Sequence, residues 1–176
     1  MAETEISEIE KLVNAISSGE VRNEIRLKLL SNLVYEKKGD IKVPEQYVDE
    51  MISYCQRNSD ELEGTYDEVE QGALLTYAAR VAKHAGRTEQ ARQLYEKAIS
   101  FNDEKELTLV AARIAVEAGM ETKSKELYGK ILLSYEQRRD FVGAVKIAEE
   151  AEMPEEAKRY RVLEERLKKL PLHFRY

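Results

Sequence analysis

Proline and glycine are scarce in this chain, three and eight of 176 residues, too few to punctuate a sandwich of short strands. β-branched and aromatic residues never gather in alternating runs, so no strand is expected. The single cysteine, Cys55, excludes an internal disulfide and gives no reason to invoke an oxidising compartment. No apolar run approaches the ~20 residues a membrane helix needs, so no membrane partner is expected. The acidic start, Met1 to Glu8, lacks the apolar core of a secretory signal, and there is no Asn-x-Ser/Thr acceptor. These absences point to a cytoplasmic protein.

The groups that carry chemistry are equally thin. Two histidines, His84 and His173, and one cysteine, with no Glu-x-x-His pairing, leave no protein metal site to expect. Neither glycine-rich phosphate loop, Gly-x-Gly-x-x-Gly or Gly-x-x-x-x-Gly-Lys-Ser/Thr, occurs, so no nucleotide cofactor is expected. Cys55 follows Tyr54 on a helix whose Tyr47, Met51 and Tyr54 point inward, which reads as a small buried hydrophobe rather than a nucleophile. The chain is therefore expected not to be an enzyme.

What the sequence has in quantity is charge, 35% of residues against 43% apolar, the balance of amphipathic helices with solvated outer faces. Residues 1–70 hold 8 Lys/Arg against 17 Asp/Glu, and residues 71–176 hold 20 against 17. An acidic front and mildly basic rear suit head-to-tail packing or a charged partner; ordinary solvated faces are the plainer alternative. A pI near 5.2 argues against nucleic acid as the partner.

A repeat at an offset of 33 residues is the strongest organising signal. Ala79-Arg80-Val81-Ala82 followed by Ala85-Gly86 recurs as Ala112-Arg113-Ile114-Ala115 followed by Ala118-Gly119, and Leu94-Tyr95 recurs as Leu127-Tyr128. A third copy keeps Lys146-Ile147-Ala148 and Ala157. Each unit reads as a helix rich in small residues, a glycine stop, and an amphipathic helix bearing Ala91, Leu94, Tyr95, Ala98 and Ile99 on one face. Thr65 with Glu68 and Asp103 with Glu106 have capping-box spacing, and Pro154 suits a first helical turn. Helices are expected near 4–18, 20–38, 44–57, 66–85, 88–101, 104–118, 121–136, 139–151 and 154–169, about nine in all. Residues 1–64, with Asn58–Gly64 as an insertion, read as a cap or an eroded repeat, and 65–170 as the array, in units of about 72–102, 105–136 and 138–169. The apolar tail, 171–176, is expected to dock on its own array or on a neighbouring chain.

The unit resembles the tetratricopeptide repeat, whose usual length is one residue greater. Ala79, Gly86, Ala91, Tyr95 and Ala98 match that family's pattern; the second copy has Ser124 and Ile131 at two alanine positions, and the third has Glu152 for glycine and Arg161 for the aromatic. The resemblance implies a right-handed, all-α solenoid of antiparallel helix hairpins, with a concave groove that binds a protein or peptide. The groove positions it implies are Thr76, Arg80, Lys83, His84, Leu109, Arg113, Val116, Glu117, Val142, Lys146 and Glu149. Arg80, Arg113 and Lys146 recur at one position and would make a cationic row for an acidic segment. In the competing reading each cation is neutralised by a neighbouring glutamate such as Glu117 or Glu149.

Tyr160, Leu163, Leu167 and Leu170 form a heptad-like stripe on the last helix, read as its core contact or as a homodimer interface. Three functions stay in view: a non-catalytic binding scaffold, a structural subunit or homodimer joined by terminal helices, and an enzyme or RNA-associated factor of unrecognised type.

Overall fold

A computed structural model of the chain describes residues 45–61 and 68–169. The helices expected at 4–18 and 20–38, the Thr65 cap, Leu170 and the tail 171–176 lie outside those residues. Among the described residues there are seven helices and no strand: α1 Glu45–Glu61, α2 Glu68–His84, α3 Thr88–Glu104, α4 Thr108–Glu117, α5 Glu121–Gln137, α6 Phe141–Glu150 and α7 Pro154–Lys169. α1 runs four residues beyond its expected end at 57, into the segment read as an insertion, and buries Ser59 there.

From Thr88 onward the architecture alternates with the period read from the sequence. Helices of 17, 10, 17, 10 and 16 residues follow one another, joined by four three-residue connectors, and a fifth connector of the same length leads into the first of them from α2. The connectors explain the regularity. In each one the middle residue has positive φ: Gly86 (76°), Glu106 (61°), Gly119 (72°), Arg139 (58°) and Glu152 (55°). The following N–H then donates to a carbonyl five residues back, as in Arg87 to Ala82 and Met120 to Ala115, both 2.9 Å, and Met153 to Ala148, 2.8 Å. This left-handed closure satisfies carbonyls that a helix end leaves open, and the next helix begins at once.

Glycine marks only two of the five stops. Glu152 adopts the same backbone without it, which costs an L-residue about 1–2 kcal/mol. Glu152→Gly is therefore expected to raise the unfolding free energy by about 0.5–1 kcal/mol, since glycine's extra unfolded-state entropy takes back part of the gain. Chemical denaturation checks this, and a lower midpoint for the variant would refute the helix-stop assignment.

The same closure corrects one expectation. Asp103 and Glu106 do not form a capping box, because α3 continues through Glu104 and Glu106 is the left-handed residue of the stop. Asp103 instead accepts from Thr108 Oγ1 (3.2 Å) and Lys130 Nζ (2.8 Å). The side-chain cap that the sequence reading missed is Asp140, which opens α6 by accepting from the Gly143 N–H at 2.9 Å. Pro154 does open α7.

The chain divides into two compact units, 1–101 and 102–176. In the first, α1 packs on α2, burying Val48, Met51, Ile52 and Cys55 on one helix and Leu74, Ala78, Ala79 and Ala82 on the other. In the second, α4 packs on α5, α5 on α6 and α6 on α7. The ten-residue helices bury mostly small side chains, Ala111, Ala112 and Ala115 on α4 and Ala144 and Ala148 on α6, with one isoleucine each, Ile114 and Ile147. The longer helices supply bulk, Leu127, Tyr128 and Leu132 from α5 and Tyr160 from α7. Small residues on one partner let the axes approach, and each large side chain removed from water contributes about 1.5–3 kcal/mol.

A candidate interaction face on α4 and α6

The residues singled out for a groove fall into distinct environments. In the first unit Thr76 is buried and its hydroxyl donates to the Gly72 carbonyl at 2.9 Å, so it belongs to the core of α2 rather than to a solvent-facing set. Arg80 is half-buried, with its guanidinium 5.5 Å from the centre of the Tyr77 ring. Lys83 is exposed and lies 5.8 Å over Tyr95, and His84 is the exposed last residue of α2.

In the second unit Leu109, Arg113 and Val116 follow at i, i+4 and i+7 on α4, and Val142, Lys146 and Glu149 repeat that spacing on α6. Val116 and Val142 are 56% and 49% exposed, high values for large aliphatic side chains, while Leu109 and Glu117 are half-buried. Lys146 is exposed and has no ion-pair partner among the described residues.

Arg113 is different. Its Nε and Nη2 donate to the two carboxylate oxygens of Glu150 at 2.7 and 2.9 Å, a bidentate pair, and the Tyr128 hydroxyl donates to Glu150 at 3.0 Å. One carboxylate thus ties α4, α5 and α6 together. The hydrogen bond from Arg113 holds the Glu150 carboxyl below its usual range, and burial first, the Glu150 bond second, pushes the Tyr128 phenol up to about 12. The Arg113 fork is filled from within the protein. Neutralisation by a glutamate therefore holds at this position, through Glu150 rather than Glu117 or Glu149; Glu149 pairs with Arg161. A row of open cations is not what Arg113 provides.

A second joint of the same chemistry was not legible beforehand. Glu136, at the end of α5, accepts from Arg159 at 2.8 Å to each oxygen and from the Tyr160 hydroxyl at 3.0 Å. Tyr160 is buried and stacked on Phe141, with ring centres 6.4 Å apart, so this member of the proposed dimer stripe is occupied inside the α6–α7 hairpin. Leu163 and Leu167 are half-buried. α5 meets α6 through Tyr128, on Glu150, and Tyr135, beside Gly143. The residues 33 positions later on α7 are Arg161 and Lys168, both exposed. That side of α7 is charged where α5 is aromatic.

Among the described residues, chemically reactive groups are not brought together. Cys55 is fully buried and burial pushes its thiol up to about 12, so it stays protonated at neutral pH. A maleimide or disulfide reagent at pH 8 is expected to label the unfolded chain fully and the native protein not at all over minutes; fast native labelling would contradict the α1–α2 packing. Among the described residues no group of three or more His, Cys, Asp and Glu is placed to hold a metal ion. No described helix is long and apolar enough to cross a membrane. Comparison of the chain with protein-family models, curated proteins and solved structures finds no match.

Proposed function

We propose that the protein is a non-catalytic, cytoplasmic interaction scaffold, a solenoid of tetratricopeptide-like hairpins that takes a protein or peptide on the face shared by α4 and α6. The observation that carries this reading is the pair of equivalent stripes, Leu109–Arg113–Val116 and Val142–Lys146–Glu149. They leave two valines and one unpaired cation in water while the core behind them is closed. Exposed apolar groups around a polar point are what a binding surface offers. With Arg113 and Glu149 already paired, the complementary segment is mainly apolar, with one carboxylate for Lys146.

The test is affinity capture with the wild-type chain and a Val116→Asp/Val142→Asp/Lys146→Glu variant, compared by quantitative mass spectrometry. A specific protein depleted at least about tenfold with the variant, whose far-ultraviolet circular dichroism is unchanged, is the expected result. Identical captured proteins for both would remove this face from consideration.

A further inference from the structure

The outer side of α7 carries a second surface, independent of the α4/α6 face. Lys158, Val162, Arg166 and Lys169 succeed one another at spacings of four, four and three, which places them within one stripe about 16 Å long. All four are exposed, Val162 at 46%. Several cations of α4, α5 and α7 itself are spent on carboxylates: Arg113 on Glu150, Lys130 on Asp103, Arg159 on Glu136 and Arg161 on Glu149. Lys158, Arg166 and Lys169 have no ion-pair partner among the described residues. A macrodipole accounts for cations in the last turn of α7, but not for Lys158 near its start.

The complementary charge lies elsewhere in the same chain. α1 carries Glu45, Asp49, Glu50, Asp60 and Glu61 against the single cation Arg57, with Asp49 already paired to Arg87, and the sequence continues acidic to Glu70. Residues 45–70 hold nine carboxylates and one cation, the most acidic stretch of a chain whose net charge is −6.

We propose that the protein self-associates head to tail, the α7 stripe of one copy receiving the acidic α1 region of the next. Stripe and acidic segment are different parts of the chain, so the contact is heterologous and leaves a free α7 and a free α1 at the ends of every pair. Exposed ion pairs are individually weak and screened by salt. The association is therefore modest, concentration-dependent and confined to low ionic strength, with Val162 giving the contact an apolar centre.

Sedimentation velocity on the full chain at ~100 µM tests this, in about 20 mM and about 500 mM salt, where screening lengths differ several-fold. Two charge reversals are run beside it, Lys158→Glu/Arg166→Glu/Lys169→Glu and Glu50→Lys/Asp60→Lys/Glu61→Lys. The expected result is a weight-average mass above the monomer in low salt that falls to the monomer in high salt. Either reversal alone abolishes the association, and mixing the two reversed proteins restores it. A wild-type monomer in low salt overturns the proposal, as does association that survives the α7 reversal or fails to return on mixing. The wild-type salt series stands even if a reversed variant folds poorly.

Discussion

Tyr128→Ala is expected to lower the unfolding free energy by about 3–5 kcal/mol, the range for removing a large buried aromatic side chain. The ring is 3% exposed in the core between α4, α5 and α6, and the hydroxyl is one of the groups that hold Glu150. Two losses therefore combine, a cavity and a broken joint. Tyr128→Phe keeps the ring and removes only the hydrogen bond, so it should cost about 1 kcal/mol. Urea denaturation of the two variants separates the contributions. Equal losses for alanine and phenylalanine would mean that the ring does not fill the core as described.

The second large effect concerns two helical glycines that look alike in sequence. A Cβ on Gly143 would meet the Tyr135 ring at 2.3 and 2.6 Å and Asp140 Oδ2 at 2.7 Å. Both neighbours are committed: Arg138 lies 4.7 Å over the Tyr135 ring, and the Asp140 carboxylate caps α6. Gly143→Ala is thus expected to destabilise by about 1–3 kcal/mol, the cost of overpacking, despite alanine's better helix propensity. A Cβ on Gly129, in the middle of α5, would meet nothing within 4 Å. Gly129→Ala should stabilise by about 0.5–1 kcal/mol. Thermal unfolding of both reads the opposite signs directly; a stabilised Gly143→Ala would contradict the α5–α6 approach.

These predictions show what was legible in the sequence and what was not. The period of 33 was visible because alanines at 79, 82, 112 and 115 suit close axes and glycines at 86 and 119 suit left-handed stops. The stops at Glu106, Arg139 and Glu152 were hidden, because tertiary packing holds ordinary residues in a conformation that composition does not announce. For that reason Asp103 and Glu106 resembled a helix start when they belong to a helix end. Glutamates 117 and 149 were the neighbours that sequence offered for the cations; Glu150 is the partner because the α4–α6 approach, and not sequence distance, decides which carboxylate reaches Arg113. Likewise, Gly143 carries no label distinguishing it from Gly129 until Tyr135 is placed beside it.

The hairpins, the three-helix joint and the α4/α6 face all depend on the alternation of stops, so backbone conformation is the most direct test of the account. Backbone NMR on the isotopically labelled chain reports φ through three-bond couplings and secondary shifts. Left-handed φ is predicted at 86, 106, 119, 139 and 152, with the helices between them ending and restarting within three residues. Helical φ at 106, 139 or 152, with helix continuing through that position, would contradict it.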